Sequence, residues 1–175
     1  EQEKFWSGSF GDQYIDRNQS IDWVESNFYF FKYIFKNIDD LSSLIEFGAN
    51  IGLNIEAIAK IYPEVTIHAV EINKQASEIL SGKKICSVSN CSIHDYEPNK
   101  KYELSLVKGV LIHLNPEELP STYKKIFESS SKYILIAEYY NPTPIAIDYR
   151  GHKNKLFKRD FAGEMMNMYK NLELV

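Results

Sequence analysis

Apolar positions along this chain follow two alternating periods. Ile21, Val24, Phe28, Phe31 and Phe35 recur at three- and four-residue steps, the spacing of a helix that buries one face against a sheet. Ser20 offers this helix an N-cap oxygen, and Asp22 places an acid in its first turn. The run Ser43-Leu44-Ile45-Glu46-Phe47 is short, mostly apolar and stopped by Gly48, as a buried parallel strand is. A helix is predicted over 54–62, where Ile55, Ile58, Ala59 and Tyr62 share a face and Pro63 marks the stop. A β-branched strand follows at 65–71, a helix at 73–80, a strand at 85–93 and a strand at 103–109. Asn115-Pro116-Glu117-Glu118 then combines an N-cap, a proline at the first helical position and an early acid, and 133–138 supplies a fifth strand. Strand alternating with helix predicts an α/β fold with a doubly wound, mostly parallel sheet.

The two ends depart from that alternation. Residues 1–19 mix aromatics, glycine and polar groups, and predict short helical turns broken at Gly8 and Gly11. After Tyr139 about twenty polar and aromatic residues precede a last helix near 159–170, and a loop that long usually carries function. Leu172 to Val175 reads as the start of a sixth strand.

The 175 residues, 44% of them hydrophobic, are enough for one domain with a full core. The division expected is 1–40 as N-terminal cap helices, 41–138 as the ligand-binding core and 139–160 as a substrate loop. A net charge of −4 without a dense Lys/Arg block disfavours a nucleic-acid partner and points to a small solute. The longest strongly apolar run, 28–35, is broken by Lys32 and is far short of the roughly 20 residues that span a bilayer. Glu1-Gln2-Glu3-Lys4 does not resemble a signal peptide, so a reducing cytoplasmic setting is expected, with Cys86 and Cys91 as thiols. Their spacing has no second pair, and His68, His94, His113 and His152 form no ligand pair at helical spacing, so no metal is expected.

In an open α/β sheet the ligand lies beyond the carboxyl ends of the strands, at the first strand-to-helix turn. That turn reads Glu46-Phe47-Gly48-Ala49-Asn50-Ile51-Gly52. Gly48 and Gly52 permit a tight turn and close approach of a ligand, and Asn50 tolerates positive φ. An acid two residues before the first glycine suits an amino-acid-like or ribose-bearing ligand better than a phosphate. Glu71, at the end of the second strand, is placed to accept hydrogen bonds from vicinal ribose hydroxyls. The alternative is loop chemistry beside a solvated strand-end acid.

Together these residues resemble the class I S-adenosylmethionine-dependent methyltransferases. Glu46, Gly48 and Gly52 match the family's first motif, with Asn50 where a middle glycine is usual. The resemblance implies a Rossmann-like fold that binds S-adenosyl-L-methionine. It assigns Glu46, the Gly48 backbone and Lys108 to the methionine part, Glu71 to the ribose, Ile72, Ser92 and Ile93 to the adenine, and Asp95 to its amino group. The opening Gln2-Glu3-Lys4-Phe5-Trp6, the stretch Phe10 to Asn18, and the late segments Glu138 to Pro144, Tyr149 to His152 and Leu156 to Phe161 narrow the likeness. They are similar to the methylases associated with pseudaminic acid biosynthesis, which implies sugar modification. The usual fold ends in an antiparallel hairpin, whereas this chain stops as the first arm begins. Either the chain is cut short there or the edge is finished otherwise, and an open edge invites a homo-oligomer.

Methyl transfer needs the acceptor held near the methyl group and, for a hydroxyl, a base. His113, on the rim beyond the fourth strand, is the candidate base; a local packing role is the alternative. His152 is a second catalytic candidate, in a loop whose Tyr139, Tyr140, Asn141, Tyr149 and Arg150 offer sugar-stacking rings and donors for an anionic group. Trp6, Tyr14 and Arg17 are expected to close over the cofactor, with Arg17 on its carboxylate. The acceptor expected is a small sugar-like molecule. An RNA or protein methyltransferase, or a non-catalytic cofactor-binding module, are the other readings.

Overall fold

The computed structural model describes residues 2–17 and 21–175. Helices α1 (Gln2–Ser7), α2 (Ser9–Arg17) and α3 (Ile21–Ile34) open the chain. The alternating core follows as β1 (Ser43–Phe47), α4 (Leu53–Ile61), β2 (Thr66–Val70), α5 (Lys74–Gly82), β3 (Ser87–Ser89) and β4 (Tyr102–Lys108). Two 3-10 turns, Leu111–His113 and Pro116–Glu118, lead into α6 (Leu119–Glu128) and β5 (Ser130–Ala137). The chain then forms β6 (Ile145–Tyr149), β7 (His152–Lys158) and α7 (Phe161–Met168).

The five core strands form one parallel sheet in the order β3-β2-β1-β4-β5. Successive side chains of a strand point to opposite faces. Leu44, Ile67, Ala69, Leu104 and Leu106 accordingly pack beneath α3, α4 and α5, with Val24, Phe31, Ile55, Ile58 and Leu80. Ile45, Phe47, Val70 and Val107 pack against Leu119, Tyr123 and Ile126 of α6 and Phe161 and Met165 of α7. Glu164 pins these last two helices together, accepting from Tyr123 Oη at 2.8 Å and from Arg159 Nε at 2.6 Å. Strand order reverses between β1 and β4, so a crevice opens at their carboxyl ends.

Several expectations shift by a residue or two, and three change in kind. Ser20 lies outside the described residues, as does the side chain of Ile21. The third strand shrinks to Ser87–Ser89, because β3 pairs on one side only and Cys91 and Ile93 turn away toward the crevice. The expected loop over 139–160 is mostly an antiparallel hairpin: β6 pairs β7 around the two-residue turn Arg150-Gly151, both at positive φ (51 and 83). It forms its own two-stranded sheet and does not extend the parallel one. Residues 172–175 form no strand, and Leu174 and Val175 are exposed.

Candidate active site

The turn after β1 folds as its residue types require. Gly48, Asn50 and Gly52 adopt φ of 73, 48 and 84, and a Cβ on Gly48 would come within 2.5 Å of Val110 Cγ2. The close packing of Val110 on Gly48 seals β4 to β1 at the switch point. The turn is fixed from below by Lys83, whose Nζ donates to Ile51 O at 2.7 Å and pairs with Glu56.

Glu71, one residue past β2, is buried at the corner of this turn. Its Oε2 accepts from Asn50 N and its Oε1 from Asn73 N, both at 2.7 Å. An ionised carboxylate has about four lone-pair positions, so these bonds leave capacity to receive a hydroxyl donor. Burial raises the Glu71 pKa, and the backbone N–H groups of Asn73, Asn50 and Ile72 oppose the rise. Asn73 caps α5, accepting from Ala76 N at 2.9 Å, while its Nδ2 donates to Asp12 Oδ1 at 2.8 Å and Trp6 O at 3.2 Å. One side chain thus fastens α1 and α2 to the corner that holds Glu71.

Above these groups lies a cavity of about 470 Å³. Trp6, Tyr14, Gly48, Asn50, Glu71, Ile72, Ser92, Ile93, Lys108, His113, Tyr139 and Tyr149 all line it. Glu46, before the turn, and Gly52, at its end, lie off the wall. Glu46 is fully buried; its Oε1 accepts from Asn54 Nδ2 at 2.6 Å, its Oε2 has no partner among the described residues, and burial pushes its pKa up to about 8. Asp95 is exposed, with its backbone N–H donating to Ser92 Oγ at 3.1 Å.

Besides Glu46 and Gly52, five more expected site residues stay outside the wall. The Arg17 guanidinium lies 5.1 Å from the centre of the Phe10 ring. Arg150 is at the exposed hairpin tip, because a two-residue turn projects its central residues away from the paired strands. Tyr140 is exposed, Asn141 donates to Thr143 O, and His152 sits 5.0 Å from the Phe5 ring.

The hairpin reaches the site from above. Lys155 O faces His113 Nδ1 at 2.7 Å, and Gln2 Nε2 donates to Asn154 O at 3.2 Å. A carbonyl only accepts, so Nδ1 carries the proton and Nε2 keeps its lone pair. The His113 ring lies 4.6 Å from Trp6 and 4.9 Å from Tyr149, and burial lowers its pKa against the opposing Lys155 carbonyl. Trp6, Tyr14, Tyr149 and His113 therefore form one aromatic roof contributed by α1, α2, the hairpin and the turn after β4.

Other wall residues carry no site signal in the sequence reading: Trp23 and Asn27 of α3, Asn54 and Glu138. Trp23 and Asn27 stand at the flank of the apolar stripe, Trp23 half exposed and Asn27 buried, where position alone does not separate a cavity wall from a solvated face or a core edge. Glu138 stands one residue past β5, the same position that singles out Glu71 after β2. Among the described residues no group of His, Cys, Asp or Glu could hold a metal ion, and no helix is long and apolar enough to cross a membrane.

No family model and no curated protein matches the chain. Solved structures do share its fold. A Leishmania major S-adenosylmethionine-dependent methyltransferase superposes with a TM-score of 0.67 at 16% identity, over 82% of this chain and 61% of its own. The plantazolicin methyltransferase BpumL, solved with a pentazolic desmethylPZN analogue and S-adenosylhomocysteine, gives 0.63 at 15% identity, over 79% and 57%. A sugar N-methyltransferase from Streptoalloteichus gives 0.59 at 11% identity, over 83% and 62%. The architecture is the Rossmann-like class I methyltransferase fold, and the chain spans about three-fifths of the length of these three structures.

Proposed function

We propose that the protein binds S-adenosyl-L-methionine in this cavity and transfers its methyl group to an oxygen or nitrogen of a small sugar-like acceptor. The observation that carries the reading is Glu71: a buried carboxylate on the wall beside the Gly48–Gly52 turn, with acceptor capacity left beyond its backbone bonds. The donor set fits the cofactor. Glu71 holds the ribose hydroxyls, Ile72, Ser92 and Ile93 border the adenine, and the Gly48 backbone and Lys108 face the methionine end. Trp6 and Tyr14 cover the site and exclude water.

The cofactor, when bound, supplies an electrophilic methyl group on a sulfonium. His113 receives the acceptor's proton on Nε2, since its Nδ1 proton is already engaged by Lys155 O. Its lowered pKa keeps the ring neutral, and so basic, near pH 7. Resemblance to methylases associated with pseudaminic acid biosynthesis, and a structural neighbour that is a sugar N-methyltransferase, favour a sugar or nucleotide-linked sugar of surface-glycan biosynthesis. The test is transfer of an isotope-labelled methyl group to a panel of nucleotide-linked sugars. Labelled product that disappears in Glu71→Gln supports the reading, and labelled product from RNA or protein alone contradicts the acceptor class.

A further inference from the structure

Six buried side-chain polar atoms have no hydrogen-bond partner among the described residues: Trp6 Nε1, Glu46 Oε2, His94 Nε2, Ser105 Oγ, Ser129 Oγ and Glu138 Oε2. Glu46, Ser105 and Ser129 lie off the cavity wall, whereas Trp6, His94 and Glu138 are on it. The His94 ring has the Glu118 carboxylate 3.7 Å away, and Trp6 is bedded among the rings of Phe5, Phe10, Tyr14 and His113. Glu138 is the carboxylate of the three.

Its placement is fixed by backbone alone. Gly109 N donates to Ala137 O at 3.0 Å, which aligns the ends of β4 and β5. Val110 N and Leu111 N then donate to Glu138 Oε1 at 2.8 and 2.9 Å. Val110 is the residue packed on Gly48, so the carboxylate is tied to the floor of the crevice between β1 and β4. One oxygen is held and the other is left over. His113 hangs from the far end of the same 3-10 turn, its N–H donating to Val110 O at 2.9 Å.

A buried carboxylate oxygen without a donor is unfavourable, and such an oxygen on a cavity wall marks the place where a ligand donor fits. We propose that Glu138 binds the methyl acceptor through Oε2, accepting a hydrogen bond from a hydroxyl or amino group adjacent to the group that is methylated. The inference rests on the methyltransferase reading and adds a requirement to it. The acceptor carries two donors on neighbouring positions, as sugars and amino sugars do: one for His113 and one for Glu138. The groups that act electrostatically on Glu138 are Lys108 of β4 and Tyr123 of α6, and Lys108 also couples to Glu46. Burial pushes Glu138 up to about 7, while the N–H groups of Val110, Leu111 and Ile112 and the Lys108 ammonium pull it down.

Glu138→Gln isolates the free oxygen. The amide oxygen can still accept from Val110 and Leu111, while an NH₂ donor replaces Oε2. The probes are uridine-diphosphate-linked hexoses and amino hexoses, each with its analogue lacking one ring hydroxyl or amine. They are titrated into the wild-type protein and the variant in the presence of S-adenosylhomocysteine, whose own affinity is measured separately. The expected result is probe binding weakened about 10- to 100-fold in Glu138→Gln, the loss for one charge-assisted hydrogen bond, with S-adenosylhomocysteine affinity unchanged. The analogue lacking the matching donor should lose a similar factor on wild type and little further on the variant, and this wild-type discrimination stands even if the variant does not fold. Equal probe affinity in a folded variant overturns the proposal, as does a wild type that binds none of the probes. Loss of S-adenosylhomocysteine binding in Glu138→Gln would place Glu138 on the cofactor instead. A wild type that ignores S-adenosylhomocysteine but binds a probe would sink the cofactor reading and leave Glu138 to be judged by the probe series.

Discussion

Replacing Glu71 by glutamine separates its two tasks. Both carboxylate oxygens accept a backbone N–H, from Asn50 and from Asn73. A glutamine has one acceptor oxygen, so one of those buried N–H groups loses its partner, at about 1–3 kcal/mol. For a chain of this size each kcal/mol lowers the melting temperature by roughly 2–4 °C, which gives a fall of about 2–12 °C. The variant also loses the charge that receives the ribose hydroxyls. One charge-assisted bond at about 1.5–3 kcal/mol corresponds to roughly 10- to 150-fold weaker binding. Thermal unfolding without ligand measures the first effect, and calorimetric titration with S-adenosylhomocysteine measures the second. A folded variant that melts lower yet binds within about threefold of wild type would show that Glu71 only braces the glycine turn.

Gly48→Ala forces an L-residue into positive φ, at about 1–2 kcal/mol, and drives its Cβ toward Val110; differential scanning calorimetry should show a lower melting temperature and titration a weaker cofactor affinity. His113→Ala should lower kcat by about 10²–10⁴-fold once an acceptor is known, with S-adenosylhomocysteine affinity retained in titration. Arg150→Ala should leave kcat/KM and cofactor affinity at wild-type values, because the side chain stands at the exposed hairpin tip. Glu46 has a folded pKa near 8 against an ordinary 4.5, so the folded state holds its proton where the unfolded state has lost it. Stability should therefore fall as pH rises from about 4.5 to about 8, with Glu138 adding to the fall up to about 7, and Glu46→Gln should gain on wild type across that window in urea unfolding.

Where burial acts on both faces of an element, the sequence carried the answer. Ser43–Phe47 is the strand expected because nearly every position is enclosed, and Asn50 and Gly48 take positive φ because few residue types can. Glu71 was legible through its register after the glycine turn. The hairpin over 145–158 was not. Its turn is Arg150-Gly151, with arginine where an Asn or Asp would announce positive φ, and its strands are largely exposed, so the alternation of Ile145, Ile147 and Tyr149 was faint. Separation along the chain hid the rest of the site. Lys155 O on His113 Nδ1 and Val110 N on Glu138 Oε1 join residues 42 and 28 positions apart, and those pairings follow from how the hairpin and β5 lie over the turn after β4. No local pattern around Trp23 or Asn27 encodes their place on the wall, and Glu138 shows only its strand-end position.

A crystal structure of the protein with S-adenosylhomocysteine tests the central claim most directly. The expected structure has the adenosine ribose hydroxyls on the Glu71 carboxylate, the adenine between Ile72 and Ile93, and the sulfur on the side of the cavity lined by His113 and Glu138. A ligand seated elsewhere, or no ligand in a cavity open to it, would show that Glu71 and the glycine turn do not form a cofactor site.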